Sequence, residues 1–381
     1  MKKILFIIPE YSHGGVCKSL ENLISFIKDD YIIRIFCLYE DGTDYYKNKF
    51  RSHIIKKSLL YRILHDNVYT RKFYGAYMKV FKNANWNWLY KNEMKRLQKV
   101  FDFDVVIAYQ EDTSTLVGTF YPRLNKKIKK IAWMHLDYAI FSDNGSPRQK
   151  QIYSSYDKVV CVSETAAESF LNIMSPWPGQ VDYLYNFIDT DSITKNASCL
   201  NENVFKNRKN EFKIISVGRF AEVKQFEKIP EILHSVIDNV KRRVHWYIMA
   251  AGNEMREETE HNIAKYGLNE YITILSAKDN PYSYIKAADL FVCTSYSESF
   301  SYVIAEAKVL HVPVLSNDFP VAYEVVEDTC GWICNLSEMG KYLINIVNDV
   351  NSCYSNIKQM ISLYQYDNKK LKNKFKLIIN E

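Results

Sequence analysis

Short continuous apolar runs alternate with longer amphipathic ones along the first half of the chain. Residues 4–8, 32–38, 105–109, 131–134 and 159–162 read as strands, and 19–27, 73–81 and 91–100 as helices between them. Continuous rather than alternating apolar strands, separated by helices, predict a parallel sheet covered on both faces. Residues 191–211 are polar and irregular, which predicts a linker. The alternation then restarts, with strands at 213–217, 245–250, 272–275, 290–293 and 312–316. Helices at 227–237, 257–266, 283–288 and about 301–310 fall between them. The expected division is therefore a first domain at 1–190, a second at 212–355, and a helical end at 356–381 that could cross back to the first domain. Two such domains facing each other would leave a cleft, with ligands at the carboxyl ends of the strands.

Composition adds limits rather than direction. Of 381 residues, 47% are hydrophobic and 25% charged, as in a folded soluble protein rather than a disordered or fibrous one. The apolar opening stops at Pro9, too short to cross a bilayer, and reads as a buried first strand. Eight scattered cysteines, several inside strand-like runs, suit reduced buried thiols and a cytoplasmic location. Cys330 and Cys334 are a close pair without a second pair or a His cluster, so no metal site is expected.

Four places could carry chemistry. A buried strand ends at Gly218, followed by Arg219 and Lys224, two cations five residues apart ahead of a helix. Arg219 could present a bidentate fork and Lys224 a point charge to a diphosphate. A solvated turn with ordinary surface cations is the alternative. Farther on, Glu298 and Glu306 are eight residues apart around Ser299, Phe300 and Ser301. An uninterrupted helix would turn about 800° over that spacing, leaving the carboxylates roughly 80° apart. Glu298 is therefore expected in a loop and Glu306 in the helix, where separate carboxylates can bind separate hydroxyls. The amides opening that helix favour a phosphate, although a capped helix with Glu306 on its solvent face would fit the spacing too. Gly14 and Gly15 follow the first strand and allow close backbone approach, but no G-x-G-x-x-G pattern supports a dinucleotide. His135 ends the 131–134 strand; a lone histidine there is either structural or functional.

At these motifs the chain resembles the retaining glycosyltransferases of family 4, which have the GT-B fold, over nearly its whole length. Glu298 and Glu306 match the E-x7-E motif, Gly218-Arg219-Phe220 with Lys224 match the G-R-L…K loop, and Gly14-Gly15 match the first-loop glycine pair. Residues 156–164 and 186–189 are similar to two further family segments. The resemblance implies an α/β GT-B fold of two Rossmann-like domains. It implies Arg219 and Lys224 on the donor diphosphate, Glu306 on the ribose, and Glu298 and His135 at the transferred sugar. The donor would be a UDP- or GDP-sugar, with no metal or cofactor. Glu298-Ser299-Phe300-Ser301 stands where the family has Glu-Gly-Phe-Gly, which leaves the sugar open.

Net charge is +6, concentrated in residues 51–100, where 12 basic side chains face only Asp66 and Glu93. Aromatic residues interleave with those cations. This reads either as a peripheral contact with an anionic membrane surface, suited to a glycan or lipid-linked glycan acceptor, or as a solvated face over an aromatic core. Nucleic acid is not expected as a partner. A nucleotide-sugar epimerase of the same fold and a catalytically silent binding subunit are the rival readings.

Overall fold

The structure is a computed structural model and describes residues 1–11, 15–39, 44–66, 69, 71–72, 86–123, 128–140, 144–177, 179–198, 205 and 210–380. The chain divides into two compact units, Met1–Phe187 with Asn368–Glu381, and Ile188–Asp367. Each is built on one parallel six-stranded sheet. Residues 199–204 and 206–209 of the expected linker lie outside the described ones. The remainder is not all irregular: Asp189 accepts the Ser192 amide at 2.9 Å and caps a helix, Thr190–Ala197, that belongs to the second unit.

In the first unit the strands are β1 (Lys3–Ile8), β2 (Ile32–Cys37), β3 (Val105–Ala108), β4 (Lys129–Met134), β5 (Lys158–Cys161) and β6 (Gln180–Tyr183). Their order is β2-β1-β3-β4-β5-β6. β3, β4 and β5 are buried almost throughout, which is why their sequences are continuous apolar runs. Helix Gly15–Ile27 is tied down by polar side chains on its inner face. Ser19 donates to Asn186 Oδ1 at 2.6 Å and shares a 2.7 Å bond with the Tyr109 hydroxyl, while Asn22 donates to the Phe187 carbonyl at 2.7 Å.

The end of the chain is two helices rather than one. Cys353–Ile361 belongs to the second unit, whereas Asn368–Asn380 belongs to the first. The latter packs Phe375 against Tyr31 and Trp133, and Lys129 donates to its terminal Ile378 carbonyl at 2.6 Å. A lysine at a helix C-terminus satisfies a carbonyl that has no partner inside the helix.

In the second unit the strands are β7 (Phe212–Arg219), β8 (Val244–Ala251), β9 (Ile272–Ser276), β10 (Leu290–Cys293), β11 (Val314–Asn317) and β12 (Gly331–Cys334). They run in the order β12-β11-β10-β7-β8-β9. Ser216 on β7 donates to the Val292 carbonyl of β10 at 2.6 Å and accepts Trp246 Nε1 of β8 at 3.1 Å, so one buried hydroxyl ties three central strands. Gly331 lies so close to β11 that a Cβ there would sit 1.9 Å from the Val314 carbonyl oxygen. Among the described residues, no helix is long and apolar enough to cross a membrane.

In an open parallel sheet, the place where the winding reverses leaves a crevice at the carboxyl ends of two adjacent strands. The strand orders put that place between β1 and β3 in the first sheet, and between β7 and β10 in the second.

Candidate active site

Three of the sequence-derived residues meet at the β7/β10 switch point. β7 ends at Gly218 and Arg219, and β10 leads into Thr294, Ser295 and then Glu298. Between them lies a single 3-10 turn, Glu222–Lys224, pinned to the exit of β10 by two bonds. Thr294 Oγ1 donates to the Lys224 carbonyl at 2.6 Å, and the Tyr296 amide donates to the Val223 carbonyl at 3.1 Å. Lys224 Nζ donates to Glu298 Oε1, which also accepts the Ser295 hydroxyl at 2.8 Å. Both charged side chains are mostly buried, at 16% and 14% exposure. Residues assigned separately to phosphate and sugar are thus in direct contact.

Gly218 packs closely beneath this turn: a Cβ there would come within 3.1 Å of the Phe226 ring, which would have to give slightly, and would make ordinary contact with Lys224 Cε at 3.5 Å. Arg219 is exposed, and among the described residues its guanidinium has no hydrogen bond or ion pair. It is available to a ligand at the same strand end.

Glu298 is in irregular backbone and Glu306 is the fifth residue of helix Tyr302–Val309, as the helical geometry requires. The solvent-face alternative for Glu306 does not hold. Its side chain is buried, and Oε1 accepts the Tyr282 hydroxyl at 3.2 Å. Phe300 is buried with its ring edge-on to Tyr302, and Ser299 is half-buried. Ser301 precedes the helix at φ +61°, a left-handed conformation that costs a serine about 1 kcal/mol and a glycine almost nothing. Its buried hydroxyl has no hydrogen-bond partner among the described residues. Backbone strain and an unmet hydroxyl thus coincide at the start of this helix.

Beyond the carboxyl ends of β4 and β3, next to the first unit's switch point, lie His135 and one residue that sequence reasoning passed over. Glu111 follows β3, is buried, and accepts the backbone amides of both His135 and Leu136, the latter at 2.7 Å. Burial holds its carboxyl above the usual range, against the lowering effect of those amides. The His135 ring lies edge-on to Tyr109 at 4.8 Å. Burial pushes its pKa down to about 3, partly opposed by a bond to the Tyr109 backbone, so the imidazole is neutral at physiological pH. Glu111 Oε2 and His135 Nε2 are buried without hydrogen-bond partners among the described residues. The signal for Glu111 was its place immediately beyond the end of a buried strand.

Glu111→Ala is expected to destabilise the chain by about 2 kcal/mol, because the buried His135 amide and the partly buried Leu136 amide lose a charged acceptor. Glu111→Gln, which keeps an acceptor oxygen, should lose less than half of that. Urea denaturation of the two variants checks the order, and an alanine variant as stable as wild type would reject the positioning role.

Gly14 lies outside the described residues. Gly15 opens its helix, and a Cβ there would meet nothing within 4 Å, so neighbouring protein atoms do not require a glycine there. Among the described residues no group of three His, Cys, Asp or Glu could hold a metal ion.

The basic stretch divides. Lys57 does not face solvent: it is buried, paired with Asp66 at 2.7 Å, and donates to the Leu38 carbonyl. Tyr61 and Tyr90 belong to the core around His65. Leu59, Leu60, Ile63 and Tyr69 are exposed, as are Lys56, Arg62 and Lys72. Residues 73–85 lie outside the described ones.

Known proteins share this architecture. Residues 14–192 match the family described as Glycosyltransferase Family 4, and residues 200–354 match Glycosyl transferases group 1. HepE of Anabaena, solved in complex with UDP and glucose, has a TM-score of 0.71 at 16% identity over 100% of both chains. The lipopolysaccharide outer core galactosyltransferase WaaB has a TM-score of 0.65 at 16% identity over 99% of each. The fold is therefore GT-B. The chain belongs to the glycosyltransferases of the group 1 and family 4 type. Among curated relatives, the O-antigen biosynthesis glycosyltransferase WclY of Escherichia coli is 25% identical over 184 residues, 47% of this chain and 48% of WclY. The N-acetylgalactosamine-N,N'-diacetylbacillosaminyl-diphospho-undecaprenol 4-alpha-N-acetylgalactosaminyltransferase of Campylobacter jejuni is 26% identical over 211 residues, 55% of this chain and 52% of that protein. The chain spans about half the length of these curated relatives.

Proposed function

We propose that the chain transfers a sugar, with retention, from a UDP- or GDP-sugar to a glycan or lipid-linked glycan in cell-surface polysaccharide synthesis. The observation that carries this reading is the Lys224–Glu298–Ser295 cluster at the β7/β10 switch point, with Arg219 exposed beside it. As the glycosidic bond breaks, charge develops on the leaving diphosphate. Fixed cations there stabilise the transition state more than the ground state. On this reading Arg219 and Lys224 hold the diphosphate, Glu306 the ribose, and Glu298 and neutral His135 the sugar hydroxyls. No covalent nucleophile is assigned. Support for the donor class comes from HepE, solved with UDP and with UDP-glucose. The Campylobacter relative, whose name specifies a diphospho-undecaprenol acceptor, supports the lipid-linked one.

A thermal-shift screen of UDP, GDP, ADP and their sugars tests the reading, since a ligand raises the melting temperature according to its affinity. At least one diphosphate should raise it by several degrees in wild type and not in the Glu306→Ala variant. A flat response to all of them sinks the donor site.

The acceptor side, on the same reading, faces an anionic membrane. Exposed Leu59, Leu60 and Ile63, with exposed Lys56, Arg62 and Lys72 near them in the chain, supply the apolar and cationic groups such a contact needs. Leu60→Glu with Ile63→Glu should reduce co-sedimentation with phosphatidylglycerol vesicles at least fivefold. Undiminished co-sedimentation rejects this contact.

A further inference from the structure

The first unit carries a basic concavity at the opposite end of its sheet from His135. An open groove of about 680 Å³ runs between the N-terminal ends of β4 and β5 and the helix Asn87–Phe101. Lys91, Lys95, Arg123 and Lys130 line it, with Phe120 and Asp157. Lys130 is the second residue of β4 and His135 follows its last. Five residue steps along the strand separate them, roughly 16 Å.

Among the described residues a single carboxylate lines the groove, and it is already engaged. Asp157 pairs with Arg123 at 2.9 Å and accepts the Lys130 backbone amide at 2.7 Å. The Lys130 ammonium, buried at 3% exposure, donates to the Thr119 carbonyl at 2.8 Å. Lys91 and Lys95 are exposed one helical turn apart, and among the described residues neither pairs with a carboxylate. Lys91 instead lies 5.2 Å from the centre of the Phe120 ring. Four cations thus converge against one committed anion, with a buried ammonium among the groove's lining.

We infer that this groove binds the phosphate group of a ligand, held by Lys91 and Lys95 from the helix and by Arg123 and Lys130 from the sheet end. Lysines supply point charges and Arg123 a planar fork, the donor set that phosphate oxygens accept. Burial and the neighbouring Arg123 push the Lys130 pKa down to about 8, and a bound anion would reverse that cost. The ligand is a phosphate ester or diphosphate, either free or as a lipid headgroup. The site is separate from the donor loop and does not rest on the proposed reaction.

Calorimetric titration with inorganic pyrophosphate tests it on the full-length chain. In an Arg219→Gln/Lys224→Gln background, which removes the donor-loop cations, one binding event should remain. Adding Lys91→Gln/Lys95→Gln should weaken that event at least tenfold, and Lys91→Arg/Lys95→Arg should restore it. In the wild-type background the same lysine changes should remove one of two binding events, which keeps the test valid if the four-substitution chain does not fold. Phosphatidylglycerol against phosphatidylcholine vesicles form the second arm. Loss of pyrophosphate binding marks a soluble phosphate as the ligand. A tenfold loss confined to phosphatidylglycerol vesicles marks a headgroup. Both probes binding within twofold of the parent chain, or no binding by the parent, overturns the site.

Discussion

Replacing Lys224 with methionine is expected to lower kcat/KM by roughly 10²–10³, the usual cost of removing one preorganised group that stabilises developing charge. Methionine keeps the apolar stem that lies beside Gly218, so the loss reads the ammonium rather than the packing. That ammonium donates to Glu298, with the Ser295 hydroxyl on the same carboxylate oxygen. A donor diphosphate arriving at this strand end would compete with Glu298 for the lysine, and the freed carboxylate would then be available to a sugar hydroxyl. Glu298→Gln should therefore tighten binding of the bare nucleoside diphosphate while lowering turnover. Steady-state kinetics and diphosphate titration of the two variants separate these effects. If Lys224→Met turns over within threefold of wild type on every donor that wild type accepts, the phosphate assignment is wrong.

The donor-loop motif was legible because Gly218 and Arg219 end a continuous apolar run, and such runs declare themselves as buried parallel strands. Its meaning was not. Lys224 and Glu298 are 74 residues apart, and nothing local says that β7 and β10 are neighbours across the reversal of winding. Two strands passed unread, both at sheet edges. Gln180-Val181-Asp182-Tyr183 on β6 is half solvated and carries no apolar run, and β12 is four residues beginning at a glycine. Lys57 misled for the opposite reason. A lysine within a basic run reads as surface, whereas Asp66 and the Leu38 carbonyl hold this one inside. Glu111 was passed over because its partners are backbone amides, which no side-chain pattern reports, so that only its place beyond a buried strand pointed to it. Sequence pattern therefore recovers the frame of the sheets and the residues at their ends. It misses pairings that depend on which strands lie side by side.

The sharpest consequence of burial falls on His135. An imidazole whose pKa is about 3 in the folded chain and near 6.5 unfolded takes up its proton only on unfolding across mildly acid pH. Its stabilising neutrality is fully present above the unfolded value and is lost as pH falls from about 6.5 toward 3. Between pH 7 and pH 5 this single group should cost wild type roughly 2 kcal/mol of stability. Glu111 acts in the opposite sense, since its raised carboxyl binds a proton more readily folded than unfolded. The clean comparison is therefore His135→Phe against the parent in a Glu111→Gln background. Urea melts at the two pH values should show acid sensitivity in the parent and most of it gone in the phenylalanine variant. Equal sensitivity would mean that the ring is solvated and protonates in place. The same neutrality shapes the kinetics. A ring that stays uncharged can donate or accept one hydrogen bond through Nε2, so His135→Ala should lower kcat about 10²-fold, within the usual range for a positioned catalytic group. KM should move much less. The wild-type rate should show no limb near pH 6.5 from this histidine, and such a limb, absent in His135→Ala, would place a charged imidazolium in the reaction instead.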